Sequence, residues 1–215
     1  YGQPLSGAEL RLLDSDGNVL AEWVSDGNPL EVKGLEIGKT YTLEEITPPE
    51  GYLLSEPVEF TVEETADVIE VIMVDEWIPL LETTALFEDG LKEALPSETM
   101  TVIDVVDYDR VVIGKEYTVK GQLLDVETED VIATGETTFT AEAESGSVEV
   151  VFEFDGSALI GKTLVVFEDL YDGERLVATH SELTDENQTV RIPEIGTTAT
   201  DLNGLKEVLP LEEVT

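Results

Sequence analysis

Four side chains near the C-terminal end of the chain could together carry out acid–base chemistry. His180 is the only histidine, and imidazole is the side chain whose ordinary pKa suits a base near neutral pH. Asp185 and Gln188 follow it within eight residues. Glu168 ends the apolar run Val165–Phe167, where a carboxylate has a raised pKa unless it is paired. This set indicates a reactive site, whereas a lone histidine is more commonly an ordinary surface or core residue.

Asp104 is a further acid inside a β-type run, Val102–Tyr108. If it lies beside Glu168, the two carboxyls cannot both ionise, and the pair retains one proton that it can donate. The alternative is that each acid is a strand-end charge on a solvated edge, which is an equally good prediction for so acidic a chain.

The pattern around these residues predicts an all-β fold. Short β-type runs separated by Gly, Asp, Asn and Pro recur every eight to twelve residues, as in a β-sandwich or barrel. Val148–Phe154 alternates apolar and polar residues except at Val151. Glu70–Val74 and Leu164–Phe167 are nearly continuous apolar runs, which are typical of strands buried on both faces.

The acidic sequence Asp14–Asn18 lies between the runs Ala8–Leu13 and Val19–Trp23 and predicts the turn of a β-hairpin. Its acids also suit a fragment of a calcium loop, but the later glutamate that an EF-hand needs is missing. A plain turn is therefore favoured, and neither a metal site nor a cofactor is expected.

The charge balance and the lack of cysteine exclude several classes of function. With 11 basic and 49 acidic residues, the formal charge is −38, and such a field repels nucleic acids and anionic membrane surfaces. The lack of cysteine excludes a disulfide scaffold, a zinc–thiolate site and a cysteine nucleophile. No apolar run approaches the ~20 residues of a membrane span, and no signal peptide is recognisable. We expect a piece of a longer extracellular protein without membrane insertion.

A long-range repeat relates two parts of the sequence. Thr83–Pro96 returns 114 residues later as Thr197–Pro210, with nine of fourteen positions identical. The chain therefore contains one complete repeat and the opening of the next, which predicts a tandem array. Arrays of β-sandwiches with short joints are commonly stalks or spacers.

The first part of the chain resembles the Cna-B-type (SpaA-like, prealbumin-like) module of Gram-positive surface proteins. The residues that carry the resemblance are Gly7–Leu10 and the Y-x-L-x-E-x-x-x-P-x-G-Y pattern of Tyr41–Tyr52. In that family a lysine of the first strand joins an asparagine or aspartate of the last strand through an isopeptide, helped by a buried acid.

The Cna-B resemblance implies that Glu45 is the buried acid and Asp75 the acceptor on the last strand. The family's lysine strand precedes the point where this sequence begins, and Lys33 and Lys39 lie in other segments. Glu45 and Asp75 are therefore expected to be unreacted isopeptide-type positions within this chain.

The second part resembles the VaFE-repeat domain, also called the T-Q-T or ester-bond Ig-like domain, of Gram-positive adhesins. Four separated motifs carry the resemblance, and they are, in chain order, Thr83-Thr84-Ala85, Asp104-x-x-x-Tyr108, Val165-Val166-Phe167-Glu168 and His180-x-x-x-x-Asp185-x-x-Gln188-Thr189.

The VaFE resemblance implies a spontaneous intramolecular ester between Thr83 and Gln188, with release of ammonia. His180 would be the base, Asp104 and Glu168 the acid pair, and Asp185 a supporting residue. Thr84 is not the expected nucleophile, because the family uses the first threonine of the pair.

Together these features predict two tandem Ig-like or prealbumin-like β-sandwich domains. The predicted boundaries are residues 1–77 and 78–195, followed by the start of the next repeat at 196–215, with Glu76–Leu81 as a stiff connector. The predicted function is a monomeric stalk segment of a bacterial cell-surface adhesin, with neighbouring repeats of the same chain as its partners. It is not expected to be an enzyme beyond forming its own cross-link once.

Two other functions are compatible with a β-sandwich. The first is a module that binds a glycan or protein ligand through its loops, although aromatic residues make up only 7% of the chain and form no cluster in the sequence. The second is a true hydrolase built on Thr83, His180 and an acid, which would need turnover of an external substrate.

Overall fold

The computed structural model describes residues 2–65 and 67–194. These residues form twelve β-strands and no helix, and hence none that could span a membrane. The prediction of an all-β fold is confirmed. The strands are β1 Ser6–Leu13, β2 Val19–Asp26, β3 Thr40–Thr47, β4 Val58–Thr61, β5 Leu80–Phe87, β6 Met100–Asp109, β7 Glu116–Asp125, β8 Val131–Thr140, β9 Gly146–Phe154, β10 Thr163–Asp172, β11 Arg175–His180 and β12 Thr189–Arg191.

The first domain is built on a four-stranded antiparallel sheet with the order β2-β1-β3-β4. β1 and β2 form the predicted hairpin. In its turn, Asp14 Oδ1 accepts hydrogen bonds from the backbone N–H groups of Asp16 and Asn18, so the side chain closes the loop locally. On β3, the alternation of the strand buries Glu45 on the same face as Tyr41.

Residues 70–74 do not form the doubly buried strand that their apolar sequence predicted. They belong to no strand in the described part of the chain, and Ile72 and Val74 are 42% and 66% exposed. Apolar periodicity alone does not specify how many faces of a segment are covered. In the comparable run on β10, Leu164, Val165 and Val166 are fully buried as predicted, whereas Phe167 is half-buried.

The second domain contains a five-stranded sheet and a three-stranded sheet. In the larger sheet the order is β11-β10-β7-β8, and in the smaller it is β5-β6-β9. β12 also pairs with β10, so that β11 and β12 lie end to end along one edge of that strand. The first and last strands of the domain, β5 and β12, therefore belong to opposite sheets.

Apolar side chains of both sheets form one continuous core between them. In β9, Val150 and Phe152 are fully buried while Val151 is 46% exposed, as the sequence alternation predicted. The two-sheet arrangement confirms the predicted sandwich. Other members of this core are Val102, Val106, Val119, Leu123, Leu164, Val166, Leu170 and Val190.

The two domains meet at a packed joint. Trp77 stacks on Tyr52 with ring centroids 4.1 Å apart. Lys115 Nζ, from the second domain, lies 2.9 Å from a carboxylate oxygen of Glu76 and 2.6 Å from one of Asp172. The segment between the domains is therefore packed against both of them, and the stiffness of the connector remains a prediction.

Candidate functional site

Three polar side chains occupy core-facing positions of the second domain, because strand alternation places them there. Thr83 on β5 is in phase with Ala85 and Phe87 and is 4% exposed, whereas Thr84 points to solvent. Only the first threonine of the pair therefore faces the interior.

Asp104 and Glu168 are buried to the same extent as the apolar core. Asp104 is in phase with Val102 and Val106 on β6 and has no exposed surface, and Glu168 on β10 is 1% exposed. The alternative of strand-end charges on a solvated edge is thus wrong. The predicted strand end at Glu168 is also wrong, since β10 continues to Asp172.

The packing beside Glu168 excludes water from the carboxyl group. Glu168 pairs with Gly121 on the neighbouring strand β7, and Gly121 faces the core in phase with Val119. A Cβ at Gly121 would lie 2.4 Å from the Phe152 ring. The glycine therefore lets an aromatic ring of the opposite sheet reach the backbone next to the acid.

Gln188 lies immediately before β12, where the last segment of the domain touches both sheets. Its backbone carbonyl accepts a hydrogen bond of 3.0 Å from Val166 N on β10. The preceding carbonyl, of Asn187, accepts one of 2.9 Å from Ala85 N on β5. The Gln188 side chain is fully buried, so this segment delivers the amide to the interior next to the strand that carries Thr83.

Glu168 is the common neighbour of the buried polar groups. Gln188 Nε2 donates a hydrogen bond of 2.9 Å to Glu168 Oε2. The Asp104 carboxyl and the Thr83 hydroxyl lie near the Glu168 carboxyl, because the first raises its pKa and the second lowers it. A hydroxyl, an amide and two carboxyls thus meet in a dry part of the core.

The carboxyl pair holds one proton at neutral pH. Burial raises the pKa of Glu168, and the nearby Asp104 raises it further. Burial also raises the pKa of Asp104, to about 6, although Glu168, Lys92 and His180 oppose the increase. Glu168 is therefore the protonated member and Asp104 the ionised one.

His180 and Asp185 border this cluster. His180 pairs with Glu168 across β10 and β11, and its Nε2 lies 3.3 Å from Asp185 Oδ2. That contact leaves Nδ1, which is buried, as the free nitrogen of the ring. An imidazole oriented by a carboxylate is the usual arrangement of a general base.

The cluster contains an unusual concentration of buried polar atoms that have no hydrogen-bond partner. Native proteins pair most such atoms, because each unpaired one costs roughly 1–3 kcal/mol. Buried groups that are positioned to react with one another would show this pattern. In the described part of the second domain these atoms are Thr83 Oγ1, Asp104 Oδ1 and Oδ2, Glu168 Oε1, His180 Nδ1 and Gln188 Oε1.

Lys92 is a member of the site that the sequence reasoning missed. Its Nζ donates hydrogen bonds to the carbonyl oxygens of Ala85 and Asn187, and its charge lowers the pKa of Asp104. The repeat contained a signal for it, since the same lysine recurs as Lys206 in a chain with few basic residues.

The first domain has a smaller buried polar cluster. Glu45 is 3% exposed, and its Oε2 accepts a hydrogen bond of 2.7 Å from Ser55 N. Ser55 Oγ donates to Asp75 Oδ1 at 2.9 Å. Burial raises the pKa of Glu45, although the bond from Ser55 opposes this, and Asp75 adds to the increase.

The structure brings Glu45 and Asp75 together but not with a lysine. Lys33 forms an exposed pair with Glu31, and Lys39 is exposed. Within residues 2–65 and 67–194, no ion pair joins a lysine to either acid. The same residues include no group of three or more His, Asp or Glu side chains arranged to hold a metal ion.

Comparison with known families assigns both parts of the chain. The sequence model of the T-Q ester bond containing domain matches residues 79–192. The model of the SpaA prealbumin-like fold domain matches residues 1–77. The two resemblances noted in the sequence are therefore confirmed. Comparison with curated proteins finds no match.

Solved structures of bacterial surface proteins are similar at low identity. An adhesin from Mobiluncus mulieris, described as containing intramolecular disulfide, isopeptide and ester bond cross-links, matches with 19% identity and a TM-score of 0.48, over 52% of this chain and 56% of that one. BcpA, the major pilin subunit of Bacillus cereus, matches with 13% identity and a TM-score of 0.43, over 83% and 63%. The chain spans little more than half of the adhesin structure, and likeness at this level supports no inference about function.

Proposed function

The chain belongs to the T-Q ester bond containing domain family, and we propose that it is a stalk segment of a bacterial cell-surface adhesin that cross-links itself. The ester joins Thr83 Oγ1 to the side-chain carbonyl carbon of Gln188, and ammonia is released. The observation that carries the proposal is the position of Glu168, a buried acid that accepts a hydrogen bond from the Gln188 amide and whose pKa is lowered by the nearby Thr83 hydroxyl.

The proposed roles follow from the protonation states of the groups. His180, oriented by Asp185, accepts the proton of the Thr83 hydroxyl, because threonine is a poor nucleophile until a base does so. Glu168 delivers its proton to the departing amide nitrogen, since a carboxamide does not release an unprotonated nitrogen readily. Asp104 stays ionised, so that the carboxyl pair carries a single proton.

The closed core supplies the remaining requirements of the reaction. Placing the hydroxyl and the amide side by side on fixed strands can provide roughly 7–11 kcal/mol of the barrier. Excluding water then protects the ester from hydrolysis. The same burial argues against a hydrolase, because Thr83 and Gln188 leave no surface for an external substrate.

The position of the bond suits a mechanical role. Thr83 is on the first strand of the domain and Gln188 immediately precedes the last, so tension in an array enters and leaves the fold near these residues. The bond would carry that load covalently. In this proposal, residues 1–77 and 78–195 are successive domains on the outside of the cell, and 196–215 begin the next repeat, which lies outside the described residues.

Intact-protein mass spectrometry tests the proposal. We expect the purified chain to be lighter than its sequence mass by one ammonia, and Thr83→Ala to have its full sequence mass. Thr84→Ala is the matched control, since that threonine faces solvent, and it should still lose ammonia. If the unsubstituted protein has its full sequence mass, the proposed function is contradicted.

A further inference from the structure

Lys92 is held against the segments that carry the reacting groups. After β5, a turn in which Gly90 N donates to Phe87 O at 2.8 Å reverses the chain. The backbone carbonyl of Lys92 then accepts a hydrogen bond of 2.8 Å from Arg191 N, and Ala94 N donates to Arg191 O at 3.2 Å. The position of Lys92 is therefore set by β12, the strand that follows Gln188.

The ammonium group connects the two segments that the cross-link would join. Nζ donates to the carbonyl of Ala85, two residues after Thr83, at 2.7 Å. It also donates to the carbonyl of Asn187, which immediately precedes Gln188. Because Ala85 N donates to the same Asn187 carbonyl, the lysine reinforces an existing contact between the first strand and the last segment.

The Lys92 ammonium also acts electrostatically on Asp104. Burial lowers the pKa of Lys92, as does Arg191 to a lesser extent, whereas the carboxylates of Asp104 and Asp185 oppose that decrease. Asp104 in turn is faced by Glu168 on β10, by His180 on β11, by Asp185 and by Lys92. Among these groups, Lys92 is the primary amine, and its positive charge favours the ionised form of Asp104.

We propose that Lys92 is a positioning residue for the cross-link. Its ammonium holds the segments of Thr83 and Gln188 together, and it keeps Asp104 ionised so that the proton of the carboxyl pair stays on Glu168. This inference rests on the proposed function, because it concerns the same bond-forming step.

The step balances without an external reactant. The Thr83 hydroxyl gives its proton to His180, and its oxygen forms a bond to the amide carbon of Gln188. The carbon–nitrogen bond then breaks, and the nitrogen leaves as ammonia with its two hydrogens and the proton of Glu168. His180 finally returns the hydroxyl proton to the carboxyl pair. Lys92 gains and loses no proton in this sequence.

The rate of cross-linking and its pH dependence distinguish this role from simple support of the fold. The full chain, Lys92→Met and Lys92→Arg are made by cell-free synthesis at several pH values and quenched at set times, and intact mass gives the cross-linked fraction. The matched control is Lys120→Met, which removes the same charge from an exposed position on β7. Calorimetry checks that each variant folds.

We expect Lys92→Met to react on the order of tenfold to a hundredfold more slowly, the scale of a small misplacement of reacting groups. Loss of the positive charge raises the pKa of Asp104, so the acid side of its rate profile should move to higher pH. Lys92→Arg should keep the profile of the reference, and Lys120→Met should keep both rate and profile.

Two results would overturn the role of Lys92 while leaving the ester itself intact. One is a Lys92→Met variant that reacts at the reference rate, and the other is a slower variant whose pH profile has not moved. If Lys92→Met does not fold, Lys92→Gln replaces it under the same criteria, because its amide keeps a donor for one carbonyl. A reference chain that never loses ammonia would instead contradict the proposed function.

Discussion

Each domain buries a carboxyl group beside a second one, but the surroundings of the two pairs differ. In the first domain, Glu45 and Asp75 share Ser55 as a hydrogen-bond donor. In the second, Glu168 accepts a hydrogen bond from the Gln188 amide, and Asp104 and the Thr83 hydroxyl lie near enough to alter its pKa. Among the described residues, only the carboxyl pair of the second domain therefore lies beside a hydroxyl and an amide that could use its proton.

The packing around the two pairs differs as well. The second domain encloses its pair between two sheets whose apolar faces form a continuous core. In the first domain the fully buried apolar side chains are few, and Ile72 and Val74, close to Asp75 in sequence, are exposed. Water exclusion and the placement of the last segment, more than the acids themselves, distinguish the second pair from the first.

The largest expected effect is on the rate of cross-linking, and it distinguishes Glu168 from Glu45. Glu168→Gln should slow the cross-link by a factor of roughly 10² to 10⁴, the usual contribution of a general acid, because an amide cannot deliver a proton. The new side chain still offers an oxygen to Gln188 Nε2, so the local contact can persist. Intact mass measured at set times should show the loss of ammonia delayed by that factor.

Glu45→Gln is the control for that experiment. It makes the same chemical change to the buried acid of the first domain, and the loss of ammonia should be unaffected. If both variants lose ammonia at the unsubstituted rate, or if both are slowed equally, the two acids do not differ as described.

A smaller effect is expected on stability. The ester closes a loop of roughly 100 residues, which stabilises by about 4–5 kcal/mol if it acts as a disulfide does. Thr83→Val removes the hydroxyl and nearly preserves the shape, so it should lower the unfolding temperature of the second domain in calorimetry.

The first domain provides an internal reference for this measurement. Both tryptophans, Trp23 and Trp77, lie within residues 1–77, so fluorescence follows that domain. Its transition should not move in Thr83→Val. A second-domain transition at the reference temperature would indicate that the bond is absent or does not stabilise the fold.

The smallest effect concerns the pH dependence of the first domain. Because the folded-state pKa of Glu45 is raised, its ionised form lowers the stability of the domain at neutral pH. That cost disappears as the pH falls through the raised pKa toward the ordinary range of glutamate. Glu45→Gln, which carries no charge at this position, should therefore be more stable than the unsubstituted protein at neutral pH.

Urea unfolding followed by tryptophan fluorescence measures this difference. The advantage of Glu45→Gln over the reference should shrink as the pH is lowered and vanish below the ordinary glutamate range. A constant advantage, or a larger one at low pH, would contradict a raised pKa at Glu45.

Much of this arrangement could be predicted from local sequence. The alternation of Val148–Phe154 predicted β9, and the acids of Asp14–Asn18 predicted a hairpin turn. The strand end at Glu168 was wrong, because a charged residue interrupts an apolar pattern whether it faces solvent or the core. Residues 70–74 were misassigned for a related reason, since an apolar run does not specify how many faces are covered.

Lys92 could not be assigned from the sequence, because its role depends on contacts across the fold. It lies seven residues from Ala85 but 95 from Asn187, and it bonds to both carbonyls. Nothing in the local pattern distinguishes it from an exposed lysine such as Lys120. Its recurrence in the repeat marked the position without indicating a partner.

The sequence by itself determined the all-β class, the two kinds of domain and the candidate residues, because side-chain alternation, turn chemistry and family motifs are local properties. The tertiary structure decided which of those residues meet. Thr83, Asp104, Glu168 and Gln188 come from four segments, and they converge only because the first and last strands lie in opposite sheets around one core. Burial then sets which carboxyl holds the proton, since the pKa of an acid depends on the groups that surround it in space.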